Sequence, residues 1–396
     1  MALTQSRTLR DSCFRRIQRA RVHTKTLALS LTICLATIAV CSIRGITAAR
    51  ARLSLSEPLT VRWRYASTAT VDLTPAFDDE RIYLPLAGGT IVSLKASDGQ
   101  LNWKSEIGGE FSASPAADDR AVYVASEVVT SAVGSRQKAG SLRALGREAG
   151  VTLWMRTLAM PIRGALTLSS ELIVAATSDG NVYAFDRKTG NTRWLFQQNE
   201  PFNCHPVVSG ESVYVGSENG TLFSLGENAG QVLWRYRTRG PVRGPVAVEG
   251  GTVYFGSGDG YVYAVSEADG HLQWRKRTGA GVQAVTRVDN GLLVASLDNF
   301  VYLLSFSRGK KIWKRQLPGR ISSQPVITDD SALFTPFSSN AGVVLTLRDG
   351  RQVNSLPTGE SINTGAAPII VGDAVFLTTE HGLLAFSHPS PQTSVR

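Results

Sequence analysis

Only four cysteines, five histidines and three methionines occur in this 396-residue chain, and just 19% of its residues are charged. Cys13, Cys34 and Cys41 all lie before residue 45, which leaves Cys204 alone in the rest and rules out an internal disulfide staple there. The histidines, His23, His205, His271, His381 and His388, share no ligand spacing such as His-x-x-x-His, so metal-assisted hydrolysis has no support. No Gly-x-Ser-x-Gly elbow is present, which removes the usual frame for acyl transfer.

Positive charge is also scarce where a nucleic-acid surface would need it. The formal net charge is +10, but residues 1 to 52 hold ten basic side chains against the single acid Asp11, leaving 32 basic and 31 acidic residues in the remainder. A nearly neutral body lacks the broad field that phosphate binding requires, which argues against DNA or RNA as a partner. Long apolar runs are absent too, apart from the uncharged stretch from Thr26 to Ile43. At about 1.5 Å per helical residue it reaches roughly 27 Å, enough for a thin bilayer. Seven cations precede it, from Arg7 to Lys25, and orient that end towards the cytoplasm with the remainder exported. Two outcomes stay open: a retained anchor, or a signal segment cleaved near Thr47-Ala48-Ala49. Ile38-Ala39-Val40-Cys41 is similar to a lipoprotein cleavage box, although Val40 is bulkier than the small residue expected there.

What the chain does have is a period. Trp63, Trp103, Trp154, Trp194, Trp234, Trp274 and Trp313 are separated by 40, 51, 40, 40, 40 and 39 residues. Four residues before each of the last six stands a glycine, from Gly99 to Gly309, and an eighth copy follows at Gly350 with Asn354 in the tryptophan place. A period near forty containing four short strands is the mark of a β-propeller blade, which cannot bury its apolar faces alone. The fourth copy shows the pattern: Pro206 to Val208, Ser212 to Gly216, Thr221 to Leu225 and Gln231 to Tyr236 are short runs rich in β-branched and aromatic residues. Asn219-Gly220, Asp179-Gly180 and Asp259-Gly260 favour two-residue hairpins, so Gly258-Asp259-Gly260 reads as a turn between strands and not as a phosphate cradle.

The expected fold is all-β: an eight-bladed propeller of four-stranded antiparallel blades over residues 59–386, closed when the orphan strand around Trp63 pairs with Gly382 to Phe386. Residues 1–25 form a basic n-region, 26–43 one transmembrane or signal helix, 44–58 a linker and 387–396 a loose tail. The tryptophans are expected to pack between blades, with the poorest packing at Asn354.

Ala184-Phe185-Asp186-Arg187-Lys188-Thr189-Gly190-Asn191-Thr192-Arg193-Trp194 resembles the tryptophan-docking motif of the PQQ-like propeller superfamily, with degenerate copies such as Ala264 to Trp274 and Leu94 to Trp103. That superfamily includes pyrroloquinoline-quinone (PQQ) dehydrogenases, the BamB family of outer-membrane β-barrel assembly factors, and sensor propellers. One array behind an export segment is most similar to the BamB layout. The resemblance implies a non-catalytic, monomeric, periplasmic binding scaffold whose partner is a β-barrel assembly subunit or an unfolded outer-membrane client. The alternatives are a PQQ-dependent oxidoreductase and a ligand-sensing propeller. Against redox catalysis, the dehydrogenases' adjacent cysteine pair is missing and no recognisable carboxylate set for calcium appears, so neither PQQ nor calcium is expected.

Two candidate surfaces emerge. Nine residues after each tryptophan, and after Asn354, comes a polar residue: Asp72, Ser112, Arg163, Asn203, Arg243, Gln283, Ser322 and Asn363, each preceded by an apolar one. Eight such positions are expected to ring one mouth of the channel, where the polar side chains either simply face water or form a recognition ring in which Arg163 and Arg243 grip a carboxylate or backbone carbonyls. The 51-residue interval adds a surplus between Glu127 and Ser141, expected as a loop that contains Arg136, Gln137 and Lys138 and is either a binding site or a tolerated insertion.

Overall fold

The computed structural model describes residues 53–132 and 135–389. Among these there is no helix, and none therefore long and apolar enough to cross a membrane. The stretch 26–43, with the n-region before it, lies outside the described residues.

Glycine and asparagine turns alternate with runs of about six residues, and the chain folds accordingly into consecutive four-stranded antiparallel meanders. Among the described residues there are eight. In the fourth, Val207–Ser209, Ser212–Gly216, Thr221–Gly226 and Val232–Arg237 follow the four runs read from the sequence. The second and third meanders share one sheet because their innermost strands touch in parallel at Ala165 and Ser114, as strands side by side around an axis do. The eighth contains Ile369–Val371, Ala374–Thr379 and Gly382–Ser387, and its outer place is filled by Thr60–Ala66 from the start of the domain, with Trp63 opposite Ala385.

The core lies between meanders. Tyr214, Leu222 and Trp234 of the fourth pack on Val253, Phe255 and Tyr263 of the fifth, and a comparable cluster joins every consecutive pair. The last cluster sets Ile82 and Leu84 of the first meander against Phe376 and Ala385 of the eighth, so the series returns to its start. This is the architecture of a β-propeller.

Each tryptophan reaches the next meander in the same way. The Trp234 indole donates to the carbonyl of Glu267 at 2.7 Å, and its ring covers Gly270, where a Cβ would sit 2.7 Å from Cε3. Gly270 has φ of +71°, so the turn needs glycine for its backbone as well as for the ring above it. The glycine four residues before each tryptophan therefore serves the tryptophan of the preceding repeat.

Three expectations need correction. The seam at Asn354 is not left poorly packed: its amide donates to the carbonyls of Leu55 (3.0 Å) and Glu57 (2.7 Å), and Leu53, Leu55 and Leu59 are buried against Leu356 and Phe386. The last residues of the supposed linker are thus part of the core. The tail begins later than 387, because Ser387 pairs with Thr60 and His388 accepts from the Ser54 N–H at 3.2 Å. Finally, the surplus in the second meander is not a loop. Its middle strands, Ala121–Ala132 and Ser135–Gly146, are twelve residues each and stay paired from Ala121 with Gly146 to Ala132 with Ser135, so Arg136, Gln137 and Lys138 lie on a hairpin arm.

Candidate functional site at the channel mouth

The position nine residues after each tryptophan falls where the chain turns inward from an outer strand to the next inner one. Seven of the eight apolar members are driven inward, Phe111 being only half-buried: Val71, Ile162, Phe202, Ile321 and Ile362 are fully buried, and the N–H groups of Val242 and Val282 bond the carbonyls of Ser217 and Ser257 at 3.0 Å. Anchoring one neighbour this firmly fixes where the polar one stands.

Four of the polar eight, Asp72, Arg243, Gln283 and Ser322, line a single cavity of about 220 Å³. Residues two further along the chain continue it, among them Thr74, Ser114, His205 and Gln324. The sequence reading missed these; the signal was the same forty-residue period. Burial pushes the His205 imidazole below its ordinary value, so it is neutral at pH 7.

The other four are not in that cavity. Ser112 is buried with its hydroxyl unpartnered, Asn203 is exposed, and Asn363 bonds Glu380 at 3.3 Å and Ser338 at 3.4 Å. Arg163 is half-buried and donates to Glu127. Arg243 forms a two-pronged pair with Glu218, Nε at 2.7 Å and Nη2 at 2.5 Å, which raises its pKa. Both arginines expected to grip a ligand are therefore held by glutamates of the preceding meander.

Ser322 keeps a buried hydroxyl without a partner, and the carbonyl of the same residue accepts from Gln283 at 3.1 Å. Beneath the mouth, Cys204 is fully buried and its thiol is pushed up to about 12, so it is no nucleophile at neutral pH. Towards a quinone with its calcium ion the lining offers one carboxylate, Asp72, and one guanidinium, Arg243, already bound. Among the described residues no three His, Cys, Asp or Glu side chains gather as a metal site. These residues do not fit that cofactor pair.

A family model described as outer membrane protein assembly factor BamB matches residues 89–203, 197–289 and 259–390. No curated protein matches the chain. Among solved structures, BamB from Moraxella catarrhalis is similar at 15% identity, over 85% of this chain and 100% of that one, with a TM-score of 0.69. The quinohemoprotein alcohol dehydrogenase ADHIIG from Pseudomonas putida HK5 is similar at 12% identity, over 84% of this chain and 78% of that one, with a TM-score of 0.67. The quinohemoprotein alcohol dehydrogenase from Comamonas testosteroni gives 12%, 88%, 79% and 0.67 for the same quantities. At such identities the likeness is one of fold.

Proposed function

Since the chain belongs to the BamB family of outer membrane protein assembly factors, we propose that it is a non-catalytic protein-binding scaffold, an eight-bladed propeller closed by its N-terminal strand. Its compartment is the periplasm, with residues 26–43 as the anchor or cleaved leader, and its task is the assembly of outer-membrane β-barrel proteins. The observation that carries this reading is the commitment of the chemically able groups at the mouth to the scaffold itself: Arg163 to Glu127 and Arg243 to Glu218. What the mouth then offers is shape, backbone carbonyls and exchangeable ion pairs, the means of a binding surface.

The test is affinity purification of the full chain from solubilised membranes, beside a variant carrying Arg163→Ala and Arg243→Ala. A β-barrel assembly subunit is expected with the wild type and at least tenfold less with the variant, under conditions where both chains are folded by circular dichroism. Recovery that does not differ between the two removes the mouth from the interface; no such subunit with either chain removes the scaffold reading. A second reading, a ligand-sensing propeller, draws on the polar cavity that holds His205 and Gln324. It predicts a rise in melting temperature with a small sugar or carboxylate that His205→Ala abolishes.

A further inference from the structure

The outer strands form the circumference of the domain, and charge is not spread evenly around it. Those of three consecutive meanders carry eight cations and no acid. Val232–Arg237 of the fourth holds Arg235 and Arg237, and Leu272–Arg277 of the fifth holds Arg275, Lys276 and Arg277. Lys311–Gln316 of the sixth adds Lys311, Lys314 and Arg315. The outer strands of the other five meanders together hold five cations, Arg62, Arg64, Lys104, Arg156 and Arg193, beside the acid Glu106.

Neutralisation differs as much as number. Arg62 pairs with Asp373 at 2.9 Å, Arg64 with Glu360 at 4.0 Å, Lys104 with Glu106 at 3.6 Å and Arg193 with Asp186 at 2.9 Å. Arg156 donates to the carbonyls of Thr189 and Gly190. On the three basic strands only Arg237 has a carboxylate partner among the described residues, Glu200 at 3.7 Å. Arg315 donates to the carbonyls of Asp349 and Gly350 and keeps its charge. Arg275 and Lys314 lie over aromatic rings, 5.0 Å from the centre of Tyr261 and 3.5 Å from that of Phe300, which props them outward without neutralising them. Arg235, Lys276, Arg277 and Lys311 are exposed.

Guarding sheet edges does not explain this excess. One charge interrupts pairing with another molecule, and Gln352–Pro357 of the seventh meander does without any. Exposed apolar side chains do not distinguish the three strands either, since Leu101 and Leu195 elsewhere are about as open as Leu233 and Ile312. What is particular is uncompensated positive charge gathered on one side of a body with 32 basic and 31 acidic residues after position 52.

Resting on the exported, membrane-proximal part of the scaffold reading, we propose that this arc seats on a bilayer surface rich in anionic phospholipid. None of its cations lines the cavity at the mouth, and a convex circumference offers no cleft to enclose a small anion. Long side chains without fixed partners suit a fluid surface, whose headgroups move to meet them. The exposed Val232, Leu233, Leu272 and Ile312 beside them enter the headgroup zone, as the apolar parts of an interfacial surface do. Seated on its circumference, the domain holds its channel axis along the membrane plane, and the mouth stays open to a protein partner.

The full chain is incubated with nanodiscs of phosphatidylcholine, alone or mixed with phosphatidylglycerol, and amide deuterium uptake is read by mass spectrometry. Whatever residues 26–43 do is common to both discs, which differ only in lipid charge. Uptake in Val232–Arg237, Leu272–Arg277 and Lys311–Gln316 is expected to slow at least threefold with the anionic discs and not with the neutral ones. It is expected to recover in roughly 1 M sodium chloride, where the screening length falls to about 3 Å. Leu101–Glu106 and Gln352–Pro357 are the reference strands and are expected to change with neither disc. Arg275→Glu with Lys276→Glu and Arg277→Glu is expected to abolish the protection. Arg235→Gln with Lys276→Gln, at two exposed positions, keeps the test open if the triple variant does not fold, and is expected to reduce the protection at least twofold. No slowing with anionic discs, equal slowing with both discs, equal slowing on the reference strands, or full protection in the folded variants overturns the proposal. So does slowing by soluble polyglutamate that the anionic discs do not reproduce, since the occupant is then an acidic protein. Recovery of a β-barrel assembly subunit without lipid protection leaves the scaffold standing and removes this role of the arc; lipid protection without such a subunit does the reverse.

Discussion

Gly270→Ala tests the link between one repeat and the next. An alanine at φ of +71° carries left-handed strain of about 1–2 kcal/mol. Its methyl group, 2.7 Å from Cε3 of Trp234, must push the indole out of a site where it is only 7% exposed, which adds about 1–3 kcal/mol of overpacking. Displacing the ring also lengthens the 2.7 Å bond to the Glu267 carbonyl, a loss of about 1 kcal/mol. The total expected is about 3–6 kcal/mol, read as a lower urea midpoint by circular dichroism at an unchanged m-value. Trp234→Leu alone is expected to lower stability by about 2–4 kcal/mol. In the double variant the clash has no ring to meet, so the two effects fall short of their sum by about 1–3 kcal/mol. Gly250→Ala is the control: φ is +56°, no atom lies within 4 Å of the new methyl, and only the backbone strain remains. Additivity of the Gly270 and Trp234 effects within about 0.5 kcal/mol, or a Gly250→Ala as damaging as Gly270→Ala, refutes the account.

Two further perturbations probe the mouth and the seam. Because burial lowers the folded-state pKa of His205 below its ordinary 6.5, the unfolded chain takes up a proton first as pH falls. Stability contributed by neutral His205 is therefore complete above pH 6.5 and is lost below it, by at most about 1.4 kcal/mol per pH unit, until the folded form also protonates. His205→Gln is expected to flatten the dependence of the urea midpoint between pH 6.5 and 5; an equal slope in both proteins refutes this. Asn354→Ala removes the bonds to the Leu55 and Glu57 carbonyls, with an expected loss of about 1–3 kcal/mol and faster proteolysis between Leu53 and Leu59. An unchanged cleavage pattern there shows that the leucines alone hold the segment.

Much of the fold was legible because its signals recur. Trp234 and Gly270 are seen as partners only in space, yet each belongs to a series that repeats along the chain, and repetition exposed both. The closing strand was legible for a related reason: Trp63 has an outer-strand signature and no preceding strands, and the end of the chain supplies strands with no outer one. The arm was not legible, since whether Val128 to Ala139 forms a loop or a hairpin depends on cross-strand pairs whose partners are all inside the surplus itself. Nor were the restraints on Arg163 and Arg243. Glu127 and Glu218 precede them by 36 and 25 residues, separations without a period, and they meet only because the fold brings part of one meander beside the passage into the next.

The pairing of Thr60–Ala66 with Gly382–Ser387 carries a consequence for the order in which the molecule is made. Ribosomes deliver the first of these segments long before the second, and until then both the opening strand and the first meander lack the neighbours that cover them. Seven sheets can stack as they emerge, each on its predecessor, but the circle is completed only once Gly382–Ser387 has been made. Truncation near the C terminus therefore does more than shorten the product by a blade. It leaves an open crescent with apolar flanks at both ends, whereas loss of a hairpin tip midway leaves the circle intact. Sequence contacts this distant also make closure the slow step of folding.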